Sequence, residues 1–173
     1  MGIHKPRGDM NKIYRNKTLR LKNYDYSQNG LYFITICTNK KIAYFGDIKK
    51  DKLILNSAGE MIKRVWLDLD KKFNFIKLHN YIVMPNHFHA IIEITNSKNS
   101  THIGNIIGAF KSISTNEYIK GVKNYNWLPF YKRLWQKNYY EHIIRDEKSY
   151  FYILDYIKNN PLKWELDRFY IKL

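Results

Sequence analysis

The sequence predicts an α+β fold of the ferredoxin-like (split β-α-β) type, with an antiparallel sheet and two helices on one face. Three observations support this prediction. The apolar patterns follow the order β-α-β-β-α-β along the chain. The two middle strands meet at a tight Pro85-Asn86 corner, as expected for an antiparallel pair. A further apolar helix follows the last strand and is therefore an addition to the six-element fold.

Composition indicates one folded domain with a polyanionic partner. The 173 residues are 45% hydrophobic and 16% aromatic, which is typical of a globular protein with a core of its own. The net charge of +15 favours nucleic acid as partner, with an anionic membrane second and a merely soluble basic protein third. We divide the chain into a basic arm over residues 1–28 and a single domain over residues 29–173.

Compartment is indicated by two features. Cys37 is the only cysteine, so the chain can form no internal disulfide and nothing suggests an oxidising environment. The first residues lack an apolar signal region, and no apolar stretch approaches the roughly 20 residues needed to cross a bilayer. We therefore expect a cytoplasmic protein without a membrane partner.

The first half of the domain begins with a strand over residues 31–38, rich in β-branched and aromatic residues. A small hairpin is predicted next, with Gly46-Asp47 as its turn and residues 52–55 as its second strand. Ser57 and Glu60 have the spacing of a capping box, which predicts that an amphipathic helix starts there and covers residues 58–70.

The second half contains the two strands at the Pro85-Asn86 corner and the remaining elements. Alternation and helical spacing predict strands over 75–84, 87–95 and 135–144, a helix over 103–120, and a basic aromatic loop over 121–133. Asp146 can cap a final helix that runs to about Lys158, since Pro161 prevents its continuation.

His87 and His89 are the first chemical feature of this arrangement. Residues two apart on a strand share one face, so Phe88 is expected to point into the core while both imidazoles point out on the other face. Paired imidazoles are a common metal-site geometry. Spacing alone leaves open the alternative of two histidines satisfied by hydrogen bonds on a half-buried strand.

Tyrosines on the final helix are the second feature. Ile153 and Ile157 belong to the predicted core face, whereas Tyr152, Tyr156 and Asn160 follow one another at steps of four on another side. A tyrosine there can reach a site on the sheet, or can simply pack its ring with the hydroxyl exposed. A phenolate that attacks a phosphodiester would form a covalent phosphotyrosine and so conserve the bond for rejoining.

A family resemblance follows from the motifs taken together. Five stretches resemble the HUH single-tyrosine transposases, specifically their REP-associated branch, and they do so in order along nearly the whole chain. The three most specific are Val83-Met-Pro-Asn-His-Phe-His89, Trp135-Gln-Lys-Asn-Tyr-Tyr-Glu-His-Ile-Ile-Arg-Asp146 and Asp155-Tyr-Ile-Lys-Asn-Asn-Pro161. The other two are Arg20-Leu-Lys-Asn-Tyr-Asp-Tyr-Ser-Gln-Asn-Gly30 and Ile106-Ile-Gly-Ala-Phe-Lys-Ser112.

The resemblance implies an activity and a role for each site residue. His87 and His89 would bind a divalent metal, Mg²⁺ or Mn²⁺, with Asn160 at the position of a third ligand. Tyr156 would attack single-stranded DNA at a hairpin-flanked site, leaving a 5′-phosphotyrosine and a free 3′-hydroxyl. Tyr152 is the competing nucleophile. Insertion-sequence relatives act as dimers that exchange the tyrosine helix, whereas the REP-associated branch is linked to monomers, so the resemblance leaves both a homodimer and a monomer open.

Basic residues are expected to contact the DNA. In the arm, Lys and Arg alternate with tyrosines that can stack on bases, although a solubilising tail would have the same composition. The predicted nucleic-acid contacts are Arg15, Lys17, Arg20, Lys22, Lys111 and Arg133. The alternative function is a non-catalytic module that binds structured DNA or RNA, and a replication initiator or relaxase is a more distant third.

Overall fold

The computed structural model describes residues 29–96 and 102–170 and confirms the predicted fold class. Four antiparallel strands form the main sheet and two more form a separate hairpin. The strands are β1 Gly30–Cys37, β2 Gly46–Lys49, β3 Lys52–Leu55, β4 Ile76–Met84, β5 His87–Ile94 and β6 Tyr140–Ile144. The α-helices are α1 Ser57–Leu67, α2 Leu69–Lys72, α3 Ile103–Tyr125 and α4 Glu147–Asn159, and short 3₁₀ helices lie at Asn39–Lys41 and Pro161–Leu166.

The main sheet has the strand order β4-β5-β1-β6, in which every neighbouring pair is antiparallel. Side chains alternate between its two faces, so β1 and β5 contribute to two separate cores. On one face α1 and α3 cover the larger core, where Trp66 packs against Phe88 and Phe110 at ring-centroid distances of 4.9 and 5.4 Å. The added helix α4 covers the opposite face.

The smaller core fixes the position of α4. Ile153 and Ile157 are buried against Phe33, Ile91 and Ile144 of the sheet. The helix begins where the Asp146 side chain accepts a hydrogen bond from the Ser149 backbone N–H at 2.7 Å, as the sequence predicted. Cap and core together set the rotation of α4 about its axis.

Two predicted details near α1 are wrong. The hairpin turns at Lys50 and Asp51, which have positive φ angles of 49° and 60°, and not at Gly46-Asp47. Gly46 is instead the first residue of β2, and a Cβ there would lie 2.3 Å from the Ile54 carbonyl oxygen. The N-cap of α1 is Asn56 rather than Ser57, because the Asn56 side chain accepts a hydrogen bond from the Gly59 N–H at 2.9 Å.

The predicted boundaries of two elements after the β4–β5 pair are also wrong. Helix α3 continues past Gly121 to Tyr125, and Asn126 then ends the helix with φ 55°. Gly121 lies against the Trp127 ring and leaves no room for a Cβ. The strand predicted over 135–144 is regular only from Tyr140. Trp135 forms an isolated bridge with Thr38 before the chain leaves the sheet.

No helix within the described residues is long and apolar enough to cross a membrane. The predicted arm over residues 1–28 lies outside the described residues.

Candidate metal and tyrosine site

His87 and His89 occupy the face of the sheet that α4 covers. In the β1–β5 register His87 is paired with Cys37 and His89 with Thr35. The two imidazole centroids are 4.5 Å apart. Both rings lie on the sheet face opposite Phe88, as predicted. They are not exposed to solvent, however, because both residues are 0% exposed. Two aromatic rings from beyond α4 cover His87, with centroid distances of 5.9 Å to Trp164 and 4.7 Å to Phe169.

Hydrogen bonds from neighbouring side chains orient both imidazoles. His87 Nδ1 lies 2.8 Å from Asn86 Oδ1, and His89 Nδ1 lies 2.7 Å from Thr35 Oγ1. Each contact occupies Nδ1 and leaves Nε2 as the nitrogen available for another partner. This arrangement is typical of metal-binding histidines, whose second nitrogen is held by an outer group.

Burial keeps both imidazoles in the neutral form that a metal requires. It lowers the pKa of His87 well below its ordinary value, and the neighbouring His89 lowers it further, while the nearby Asn160 amide opposes the change. Burial, with a contribution from the positive charge of Arg168, lowers the pKa of His89 to about 3. At neutral pH both rings are therefore uncharged and offer lone pairs.

Asp167 completes a three-residue cluster in which one ligand atom from each residue lies within 4.8 Å of the others. Its Oδ2 accepts a hydrogen bond from Asn160 Nδ2 at 3.1 Å, which places Asn160 beside the cluster. Burial raises the pKa of the Asp167 carboxyl above its usual range.

Unsatisfied buried atoms at this cluster fit a divalent cation. His87 Nε2 and Asn160 Oδ1 are both buried without a hydrogen-bond partner in the described structure. Such orphaned acceptors cost free energy unless a donor or cation satisfies them. The combination of imidazole nitrogens with carboxylate and amide oxygens suits Mn²⁺ and, less strongly, Mg²⁺.

Tyr156 is the tyrosine that reaches the cluster. Its hydroxyl oxygen lies 3.2 Å from His89 Nε2 and 3.5 Å from Asp167 Oδ2. Its ring makes edge-on contacts with Phe33 and His89, at centroid distances of 6.0 and 5.1 Å. Tyr152, one turn earlier on α4, is 38% exposed. The structure thus brings Tyr156, both histidines and Asn160 together, as the sequence grouped them.

The residues predicted to contact nucleic acid lie in different environments. Arg133 is exposed. The Lys111 ammonium donates to the carbonyl oxygens of residues 136, 137 and 138 at 2.9, 3.2 and 3.1 Å, so it holds the segment that leads into β6. Arg15, Lys17, Arg20 and Lys22 lie outside the described residues.

Three residues of the site are not among those predicted from the sequence. Thr35 could have been found from the strand register, since it stands opposite His89. Asn86 belongs to the Pro85-Asn86 corner and to the histidine motif, but neither feature predicts that its side chain orients His87. Asp167 follows a 3₁₀ helix that has no strong periodic pattern, so no signal in the sequence places it beside the histidines.

Asn86→Ala is expected to destabilise the protein. The Asn86 amide donates to the Lys41 and Phe169 carbonyl oxygens at 2.9 and 2.8 Å while its oxygen holds His87. Losing these buried bonds should lower the free energy of unfolding by about 2–4 kcal/mol. Urea unfolding measures the change. Asn105→Ala, at an exposed position of α3, is the control and should have little effect.

Comparison with known proteins shows the family. The sequence profile of IS200-like transposases matches residues 26–160. A protein of uncharacterised function from Haemophilus influenzae is 36% identical, and the match covers 92% of this chain and 95% of that protein. A provisionally named REP-associated tyrosine transposase from the same organism is 25% identical, over 83% of this chain and 77% of that protein.

Solved structures with this fold include two transposases. The structure of a REP-associated tyrosine transposase bound to a REP hairpin matches with a TM-score of 0.55 and 21% identity, over 86% of this chain and 76% of the other. A provisionally assigned transposase from Deinococcus radiodurans R1 matches with a TM-score of 0.50 and 19% identity, over 81% and 97%. The chain therefore belongs to the IS200-like transposase family, as its motifs predicted, and it is similar to REP-associated tyrosine transposases.

Proposed function

We propose that this transposase cuts and rejoins single-stranded DNA at hairpin-flanked sites, with Tyr156 as nucleophile and a divalent metal as cofactor. The observation that supports this proposal best is the position of the Tyr156 hydroxyl, 3.2 Å from His89 Nε2 and 3.5 Å from Asp167 Oδ2. A nucleophile in contact with groups able to accept its proton is the arrangement that covalent catalysis requires. Hairpin DNA is proposed because a relative of the same fold was solved bound to a REP hairpin.

The proposed first step is a transesterification at phosphorus. The Tyr156 oxygen forms a bond to the phosphorus while the bond from phosphorus to the 3′-oxygen breaks. The phenol proton passes to the Asp167 carboxylate, and the departing 3′-oxygen takes up a proton from water to become a free 3′-hydroxyl. The product is a 5′-phosphotyrosine, and the reverse attack by a 3′-hydroxyl rejoins the strand and frees Tyr156.

Proton removal is the main cost of using a tyrosine. With a reference pKa of about 10, only about one phenol in a thousand is ionised at neutral pH, equivalent to about 4 kcal/mol. Asp167 is the proposed acceptor of this proton, because its Oδ2 lies 3.5 Å from the Tyr156 hydroxyl. A bound divalent ion would supply Lewis-acid polarisation of the phosphate.

His87, His89, Asp167 and Asn160 are the proposed metal ligands, with Mn²⁺ or Mg²⁺ as the ion. Tyr156 contacts His89 of its own chain, so the proposed first cleavage needs no tyrosine from a second copy.

Asp167→Asn is expected to lower the affinity for Mn²⁺ by at least about 10-fold, because it replaces a charged oxygen ligand with a neutral amide. Calorimetric titration of the DNA-free protein with Mn²⁺ measures this change. Asp155→Asn is the matched control, since Asp155 is exposed on α4 and accepts a hydrogen bond from Asn159. Equal Mn²⁺ affinity in wild type and Asp167→Asn would show that Asp167 only holds Asn160.

Burial of both histidines favours a second function, the non-catalytic module that binds structured DNA or RNA. Both imidazoles are 0% exposed, so a phosphate can reach them only if the segment over residues 161–170 shifts. Incubating labelled hairpin DNA from the gene's flanks with protein and Mg²⁺, then running a denaturing gel, separates the two functions. A covalent band that EDTA prevents supports the transposase, whereas binding without any covalent band supports the module.

A further inference from the structure

The surface around Tyr131 lies beside the end of β1, at the same end of the sheet as the histidines. It consists of Lys40, Tyr131, Lys132 and Arg133, and we call it the Tyr131 surface. The aromatic side chain of Tyr131 is 66% exposed. All three basic residues are exposed as well, and none of them forms an ion pair with a described carboxylate.

Two ammonium groups lie over the exposed ring. Lys40 Nζ is 5.7 Å and Lys132 Nζ is 5.2 Å from the Tyr131 centroid. Both lysines have left-handed backbone conformations, with φ 55° and 63°, which are unfavourable for residues other than glycine and asparagine. The fold thus places two charges beside one ring at some cost in backbone strain, and such outliers are concentrated at functional sites.

Anchoring to the sheet gives this exposed surface a defined position. Asn39 donates to the Tyr131 carbonyl oxygen through its side chain at 3.3 Å and to the Leu134 carbonyl oxygen through its backbone at 2.7 Å. Leu134 and Trp135 are buried in the larger core. The exposed ring therefore projects from a fixed base.

Hydrogen bonds link the residues next to the Tyr131 surface to the candidate site. The Thr38 N–H donates to the carbonyl oxygen of Asn86, whose side chain orients His87. Lys41, next to Lys40, donates to the Arg168 carbonyl oxygen at 3.0 Å. A run of basic residues thus leads from Tyr131 through Lys40 and Lys41 to Arg168 and the site.

We propose that the Tyr131 surface binds the single-stranded DNA that leads to the cleaved phosphate, with a base stacked on Tyr131 and phosphates contacted by Lys40, Lys132 and Arg133. This inference rests on the proposed function. An exposed ring flanked by cations matches the chemistry of single strands, whose bases are free to stack, and does not match duplex DNA, whose bases already stack on each other. Stacking of a base on an aromatic ring depends little on which base it is. This contact would therefore add affinity for the single strand beyond the affinity for the hairpin.

Tyr131→Ala tests the surface directly in binding assays. Fluorescence anisotropy in EDTA, which prevents metal-dependent cleavage, compares labelled oligothymidylate of about 16 nucleotides with a blunt duplex. The affinity for oligothymidylate should fall by about 5-fold or more, with duplex affinity unchanged and Tyr131→Phe close to wild type. Tyr125→Ala is the matched control, because Tyr125 is 72% exposed and no described cation lies over its ring.

Lysine variants provide a second readout that does not involve the ring. Lys40→Asn and Lys132→Asn remove the charge while keeping a residue that accepts the left-handed conformation. Each should reduce the salt dependence of oligothymidylate binding by about 0.7 in the log–log slope, the value for one phosphate contact on a single strand.

Wild-type oligothymidylate affinity in Tyr131→Ala, or equal weakening toward oligothymidylate and duplex, would overturn the proposal. Failure of the proposed function would give a different result. Wild-type protein would then form no covalent DNA adduct, and the comparison of oligothymidylate and duplex affinities would be unaffected.

Discussion

Tyr156→Phe is expected to abolish covalent attachment to DNA and to reduce strand cleavage by about 10⁴-fold or more, since no other group takes over the role of an absent nucleophile. The substitution removes only the hydroxyl oxygen that lies 3.2 Å from His89 Nε2. The ring that packs against Phe33 remains, so the fold and the DNA affinity should be preserved. A denaturing gel with labelled hairpin DNA measures both the adduct and the cleaved strand.

Tyr152→Phe is the matched control for this experiment. Tyr152 lies one turn earlier on the same helix and is more exposed than Tyr156, so its loss should leave cleavage within about two-fold of wild type, as is usual for surface substitutions. An adduct that persists in Tyr156→Phe and disappears in Tyr152→Phe would identify Tyr152 as the nucleophile instead.

His87→Ala is expected to lower metal-dependent cleavage by at least about 100-fold, because it removes a proposed ligand whose Nε2 has no other described partner. The affinity for hairpin DNA should stay within about three-fold of wild type, because His87 is fully buried and cannot contact DNA in this arrangement. Cleavage is measured by gel in Mg²⁺ or Mn²⁺, and affinity by anisotropy in EDTA.

His79→Ala is the corresponding control, since His79 lies on β4 and pairs with Glu93 at 3.0 Å, apart from the cluster. It should cleave like wild type. Cleavage that survives in His87→Ala, or that proceeds equally well in EDTA, would contradict a metal site at His87 and His89. Thermal unfolding of each variant separates loss of a ligand from loss of the fold.

Periodicity explains which side chains could be placed on the site's face, whereas the choice of Tyr156 over Tyr152 and the role of Asn160 came from the family resemblance. The two-residue repeat of a strand places His87 and His89 on one face, opposite Phe88. The helical spacing of Ile153 and Ile157 fixes which side of α4 faces the sheet, and Tyr156 lies beside that side. These are local rules, and they also predicted the element order that the structure confirms.

Contacts that depend on the third dimension could not be predicted in the same way. Asp167, Trp164 and Phe169 reach the histidines from a segment after α4 that has neither helical nor strand periodicity. These side chains help to bury both imidazoles. The strand pattern predicts only that the two rings point away from the larger core, not that another segment covers them. Lys111 shows the same limit, because a lysine that donates to three carbonyl oxygens cannot be distinguished in sequence from one that contacts phosphate.

The most direct test of the proposed chemistry is to locate the covalent bond to DNA. Wild-type protein is incubated with hairpin DNA and Mn²⁺, digested with protease and nuclease, and analysed by mass spectrometry for a tyrosine peptide that carries a nucleotide. We expect a 5′-linked nucleotide on the peptide that contains Tyr156, formed only when metal is present. A nucleotide on another tyrosine, or cleaved DNA without any modified peptide, would contradict it.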